Sequence, residues 1–420
     1  MLRIINNNGE IKLKTAILFI CFLFMPLSSS ISQIMVSNAT FKADSGYINV
    51  NGGKLFYESA GKGENIVLLH DGAVHREIWD AQFPVFAENY RVIRYDRRGY
   101  GKSPNPTASF SNIDDLNQLF IQLKLEKAVI FGMSSGGGLA IDFTLKYPDK
   151  VRALVLVGAV VSGYGYSSHM LTRGGHIKSF ADLTADPQKM IEYLGQEDPY
   201  EIYKENIKAK EKLINLLNAN PINVTQEKNT FLQRADRPAV KYLGDIKVPA
   251  LILAGEYDIP DVHAHAGVID FGIPNTRREI ISNSGHLIPL EQPGAFNEAS
   301  LKFLRSIEFY DILNTRGAVA AAKYYIDKRK NEPGIILFDE SEMNTLGYQF
   351  LQNGKIKAAI ELFKLNAVAY PDSWNVYDSL GEAYLKDDQK DLAVKNYRKS
   401  LELNPNNQNA KKLLKQIQNK

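Results

Sequence analysis

The chain has one cysteine among its 420 residues. That residue is Cys21, inside an apolar run, so the sequence beyond it has no thiol and no disulfide, and its stability has to come from packing alone. A charge imbalance is missing too, with 50 basic residues against 47 acidic ones for a net of +3. Residues 1–32 account for Arg3, Lys12 and Lys14 against Glu10, a net of +2, so the remainder carries +1. Nothing in this balance suggests a nucleic acid or another polyanion as partner. Long hydrophobic runs are also absent. The apolar stretch from Thr15 to Leu27 falls short of the roughly 20 residues that span a bilayer, and it follows Lys12 and Lys14. Small Ser30 and Ser32 precede Gln33 as a cleavage site requires, so residues 1–32 read as a signal peptide, 33–43 as an N-terminal extension, and the protein as exported to the periplasm or exterior. The other reading of the segment is an uncleaved anchor. A lipoprotein site is a poor fit, because Ile20 rather than a small residue precedes Cys21.

At this length two domains are expected, and 45% hydrophobic with 23% charged residues is an ordinary globular balance. The most informative stretch is "VIFGMSSGGGLA", residues 129–140. A phosphate cradle would need a lysine followed by serine or threonine after the glycines, where Leu139 and Ala140 stand. The β-branched and aromatic residues before the glycines look like a buried strand, so the segment reads as strand, sharp turn, helix. Gly132-Met133-Ser134-Ser135-Gly136 then fits G-x-S-x-G, with the Ser134 hydroxyl exposed at the turn.

From residue 44 to 305, apolar strands alternate with helical patterns. A hairpin around Asn51-Gly52-Gly53 is followed by "NIVLLH", "YRVIRYD", "KAVIFGM", "VRALVLVGAV", "VPALILAG" and "RREIIS". Near-continuous apolar strands joined by helices predict a largely parallel sheet covered on both faces, with its chemistry at the carboxyl ends of the strands. "ILAGEYDIP" ends one strand with Asp258, and "SNSGHLIPLEQP" places His286 after the next.

With Ser134, Asp258 and His286 in that order, the chain resembles the α/β-hydrolase family. A serine hydroxyl needs an imidazole to take its proton, and the imidazole needs a carboxylate to hold its tautomer and offset its charge. The resemblance makes Ser134 the nucleophile, His286 the base and Asp258 the acid. The base must be neutral, so the rate should rise through histidine's ordinary range of ~6 to 7. The resemblance also implies an oxyanion hole from the N–H groups of Gly72, in "LLHDGAVHREIWD", and Ser135. Asp71 stands where the family has glycine, and it should point away from the developing negative charge. "YDRRGYGKSPNP" resembles the family's D-x-R-G-x-G-x-S turn and is read as a structural corner without chemical role.

Other candidates have plainer readings. Glu256 and Asp261 flank Asp258 and could supply the acid. His263 and His265 form an H-x-H pair that reads as solvated residues at a helix start rather than as a metal site. His169 and His176 read as exposed loop residues within a long insertion, about 162–240, which in the family forms a helical cap that sets substrate choice.

The C-terminal third follows another rule. Leu346/Leu380, Gly347/Gly381, Phe350/Tyr384, Ala359/Ala393, Phe363/Tyr397 and Pro371/Pro405 recur at a spacing of 34 and resemble the tetratricopeptide repeat. An all-α array is therefore expected over 341–420, ending in a polar capping helix at 407–420. A degenerate repeat and a linker are expected over 306–340, with the protease-sensitive break at 328–342. The signal segment and the two resemblances together imply an exported serine hydrolase acting on an ester, lactone or thioester without metal or cofactor, with a protein or peptide partner at the repeats. A peptidase or amidase of the same fold and an inactive binding protein are the alternatives. Serine at the nucleophile position argues against dehalogenase or epoxide-hydrolase chemistry, which needs a carboxylate there.

Overall fold

The computed structural model describes residues 42–225 and 229–418. The expected signal segment, Cys21, the cleavage position before Gln33 and the extension up to Phe41 lie outside the described residues. Eight strands form one sheet: β1 (Asp44–Val50), β2 (Gly53–Ala60), β3 (Asn65–Leu69), β4 (Arg91–Tyr95), β5 (Ala128–Met133), β6 (Val151–Val157), β7 (Ala250–Gly255) and β8 (Thr276–Ile281). Their spatial order is β1-β2-β4-β3-β5-β6-β7-β8. The hairpin β1–β2 and the β2–β4 pair are antiparallel, while β4 through β8 pair in parallel.

Alternation along the central strands buries both faces of the sheet. Leu68, Val129, Phe131 and Val155 enter one core, and Val67, Ile130, Leu154 and Ile252 enter the other. The strand order reverses at the β3/β5 boundary. Loops leaving those two strands diverge there and open a crevice at their carboxyl ends. The segments after β3 and β5, which carry Gly72 and Ser134, meet at this point.

The insertion between β6 and β7 is helical, with Pro187–Glu192 and Ile207–Ala219 among its pieces. Its Met190, Ile191, Leu213 and Leu217 belong to the same core as Phe131 and Val155. The cap is therefore fastened by apolar burial on one face of the sheet.

The boundary expected at residue 305 falls inside one unbroken helix, Pro293–Arg316. Phe296, Phe303, Leu304 and Ile307 of this helix fill the sheet's core, whereas Phe309 and Leu313 pack into the C-terminal helices. The helices Glu340–Gln352, Ile356–Ala369, Trp374–Lys386 and Lys390–Leu403 follow, and Gln408–Gln418 ends the chain's described part. The spacing of 34 has a physical counterpart here. A Cβ on Gly347 would lie 2.5 Å from the Phe363 ring, and one on Gly381 would lie 2.9 Å from the Tyr397 ring. In both places the lack of a side chain lets an aromatic of the next helix seat fully buried.

The helical region attaches at the amino ends of the parallel strands. Arg152 at the start of β6 pairs with Asp311, Tyr90 just before β4 donates to Glu308 at 2.9 Å, and Arg277 of β8 faces Asp339 at 3.9 Å. This is the opposite end of the sheet from the segments carrying Gly72, Ser134, Asp258 and His286.

The linker expected at 328–342 is only partly a linker. Asn331 to Gly334 are exposed, but Ile335, Leu337 and Phe338 are buried against Phe309 and Tyr325. The pattern of charges around Pro333 and Gly334 hid these apolar anchors. Protease cleavage at 331–334 should therefore yield two fragments that co-elute on size exclusion until denatured. Separation of the fragments under native conditions would contradict this packing.

Candidate active site

Ser134 sits between β5 and the helix Ser135–Lys146 with φ 50° and ψ −115°. A non-glycine residue held at positive φ stores strain and needs firm support. Here the Ser134 N–H donates to Val157 O at 2.8 Å, and its carbonyl accepts from Gly138 at 3.1 Å and Val160 at 3.3 Å. The turn can close because Gly136 has no side chain: a Cβ there would lie 2.4 Å from the His70 carbonyl.

His286, buried after β8, places Nδ1 2.9 Å from Asp258 Oδ2. Asp258 is fixed in turn by the Ile259 N–H, which donates to its Oδ1 at 2.8 Å. The structure thus separates Asp258 from its neighbours. Glu256 is exposed and accepts from Asn283 N, and Asp261 accepts from Ser167. Gly158, directly after β6, lies between the nucleophile turn and this pair, and a Cβ on it would come within 3.0 Å of the His286 ring. No hydrogen bond joins Ser134 Oγ to His286 among the described residues, a looseness common in sites before substrate binds.

Gly72 and Ser135 also come together, with 3.5 Å between a Cβ built on Gly72 and Ser135 Oγ. Asp71 points away as expected, accepting from Ala73 N at 3.0 Å and Val74 N at 2.7 Å.

A sequence profile of the alpha/beta hydrolase fold matches residues 64–173. A 2-hydroxy-6-oxononadienedioate/2-hydroxy-6-oxononatrienedioate hydrolase of Paraburkholderia phymatum is 32% identical over 298 residues, covering 63% of this chain and 97% of that protein. The chain belongs to the α/β-hydrolase family. The hydrolase is also 27% identical over 264 residues to a 2-hydroxy-6-oxo-6-phenylhexa-2,4-dienoate hydrolase of Comamonas testosteroni, covering 60% of this chain and 91% of that one. Among solved structures it is similar to an esterase from Exiguobacterium antarcticum, at 27% identity and a TM-score of 0.53 over 61% of this chain and 98% of that one.

Several residues of this hydrolase's site were not legible beforehand. From the cap, the Tyr200 and Glu201 carbonyls accept from the His286 N–H at 2.9 and 3.1 Å. The Glu201 carboxylate is buried and bonded by Arg173, which also holds Asp198 at 2.7 Å. Glu291 accepts from Gly285 N at 2.8 Å and from Tyr203 N at 2.7 Å, tying the histidine loop to the cap. Burial pushes the Glu291 carboxyl up to about 7, and burial also holds that of Glu201 above its usual range. For His286 burial works against the charged ring, but Asp258, Glu201 and Asp71 outweigh it and raise the imidazole to about 9. An ordinary histidine range therefore does not describe this site.

Two further expectations change. His265 is not solvated: it is fully buried, its Nδ1 accepts from Val161 N at 3.1 Å, and Tyr164 and Tyr166 pack on its ring. Helix periodicity put His263 and His265 on diverging faces, but not which face the Val160–Tyr166 loop would cover. His176 is exposed as expected, while His169 is half-buried, its Nε2 3.3 Å from the Tyr200 hydroxyl. In the D-x-R-G turn, Asp96 and Arg98 are structural, bonding Arg76 and Asp115 respectively. Arg97 is different: its Nη2 donates to Ser135 Oγ at 3.0 Å and to the Asp71 carbonyl. The turn therefore reaches the candidate site.

Proposed function

We propose that the protein is an exported serine hydrolase cleaving an ester, lactone or thioester. Ser134 Oγ attacks the acyl carbon as His286 takes its proton, and Asp258 fixes the ring tautomer and offsets its charge. The N–H groups of Gly72 and Ser135 receive the oxyanion. The imidazolium then protonates the leaving group, and water repeats the sequence on the acyl-enzyme. The observation that carries this reading is the strained, half-buried Ser134 turn at the end of β5, with β6 between it and the strand ends that bear a buried His286–Asp258 pair at 2.9 Å. The helical array, on the far end of the sheet, is read as a tetratricopeptide-like surface for a protein or peptide. The recurring glycine–aromatic contacts of Gly347/Phe363 and Gly381/Tyr397 support that reading.

The relatives support a second reading. The Paraburkholderia and Comamonas proteins are named as hydrolases of oxo-dienoates, and on that pattern the group expelled from the carbonyl carbon that Ser134 attacks, and protonated by His286, is a carbon rather than an oxygen. An alkyl fluorophosphonate tests what both readings share. It should label the folded protein, and Ser134→Ala should abolish labelling; a folded chain that is not labelled would be a binding protein. Product analysis on paired oxygen-ester and β-diketone substrates then separates the two.

A further inference from the structure

No carboxylate among the described residues pairs with the buried cation Arg97. Among the described residues, four other arginines are equally buried, and each holds a carboxylate: Arg76 with Asp96 at 2.9 Å, Arg94 with Glu58 at 2.8 Å, and Arg98 with Asp115 and Arg173 with Asp198 at 2.7 Å. Arg97, 6% exposed, has none within ion-pair distance. Its guanidinium stacks over the Tyr100 ring at 4.9 Å, and Nη2 donates to Ser135 Oγ and the Asp71 carbonyl, while Nε is buried without a partner. The backbone is pinned as well, by a 3.0 Å bond from Arg97 N to His70 Nε2. A buried charge in that condition is destabilising, and an anion brought by a ligand would offset the cost.

The surroundings indicate where that anion comes from. Arg97 and Ser135 line a cleft of about 690 Å³ together with Tyr164, Tyr166, Arg234 and Arg237. Asp142 and Asp236 line it too, but Asp142 accepts from Ser162 Oγ at 3.0 Å and burial raises its carboxyl to about 6. The cleft is large enough for a small organic acid and is walled by aromatic rings. It begins at Ser135, one residue from the candidate nucleophile.

We propose that Arg97 is a specificity residue that pairs a carboxylate on the acyl portion of the substrate, so that the preferred substrates are half-esters or lactones of dicarboxylic acids. This rests on the serine-hydrolase reading and adds a subsite to it. A planar guanidinium, held by stacking and two fixed bonds, presents its remaining N–H groups to a carboxylate without reorganisation. A neutral acyl chain in the same place leaves the cation unpaired, which penalises the wrong substrate.

The test compares kcat/KM of the full chain for the p-nitrophenyl half-ester of adipic acid and for p-nitrophenyl hexanoate. The native protein should favour the half-ester at least tenfold. Arg97→Gln should reduce that ratio by on the order of 100-fold, whatever happens to the absolute rates, and Arg97→Lys should restore part of it. A ratio that Arg97→Gln leaves unchanged overturns the proposal. If the variant does not fold, inhibition of native hexanoate hydrolysis decides. Adipate should compete and 1,6-hexanediol should not; equal effects overturn the subsite. Fluorophosphonate labelling of Ser134 keeps the two readings apart: a labelled enzyme without charge preference loses only the subsite, and an unlabelled folded chain loses the serine mechanism.

Discussion

Ser134→Ala and His286→Ala should each lower kcat on a small ester by on the order of 10⁴ or more, and the double variant should be no worse than either alone. The reason is that nucleophile and base perform one proton-coupled step. Without the imidazole, Ser134 remains an alcohol, and without the hydroxyl the imidazole has nothing to activate. The same geometry predicts that both variants stay folded. Ser134 is only partly buried, its structural bonds run through its backbone, and the His286 loop is held by Glu201 and Glu291. Circular dichroism and thermal melts of the variants should match the native protein. Losses that multiply in the double variant would show that the residues do not act as a unit, and the assignment would fall.

Activity should be strongly alkaline in its dependence. The base works only as neutral imidazole, and His286 is raised to about 9 by Asp258, Glu201 and Asp71 acting against burial. A group whose pKa is raised holds its proton to higher pH, so log kcat/KM should climb by about one per pH unit below about 9 and level off above it. At pH 7 the rate should lie on the order of 100-fold below its plateau. Glu201 is the contributor a substitution can isolate, because it belongs to the cap and takes no part in the proposed proton transfer. Removing its charge in Glu201→Gln takes a negative neighbour from the ring, so the midpoint should move down. Arg173, which compensates Glu201 and Asp198, should act oppositely: Arg173→Met should move the midpoint up. A kcat/KM profile measured from pH 5 to 10.5 checks this. A native midpoint near 6 to 7 would mean that the cap's acidic cluster does not act on His286.

The sequence determined the eight-stranded framework, because the central strands announce themselves by apolar runs bounded by turn residues and the flanking ones follow from the hairpin signal and the strand–helix alternation. It also determined Ser134, whose turn needs small residues at fixed offsets, and the order in which Asp258 and His286 follow. The same holds for the period of 34, since helices that pack alike demand small and aromatic residues at matching places. Asp258 over Glu256 was a matter of motif spacing until the fold brought Asp258 to His286 and left Glu256 in solvent. The residues that only tertiary structure supplied are those whose partners lie far along the chain and leave no local pattern. Glu201 meets His286 across 85 residues and Arg97 meets Ser135 across 38, and neither spacing has a period. The expected boundary at 305 and linker at 328–342 misled for the same reason. Local charge and a Pro-Gly turn describe the exposed face of a segment, while burial of Phe309 and Phe338 depends on what the three-dimensional fold lays against them.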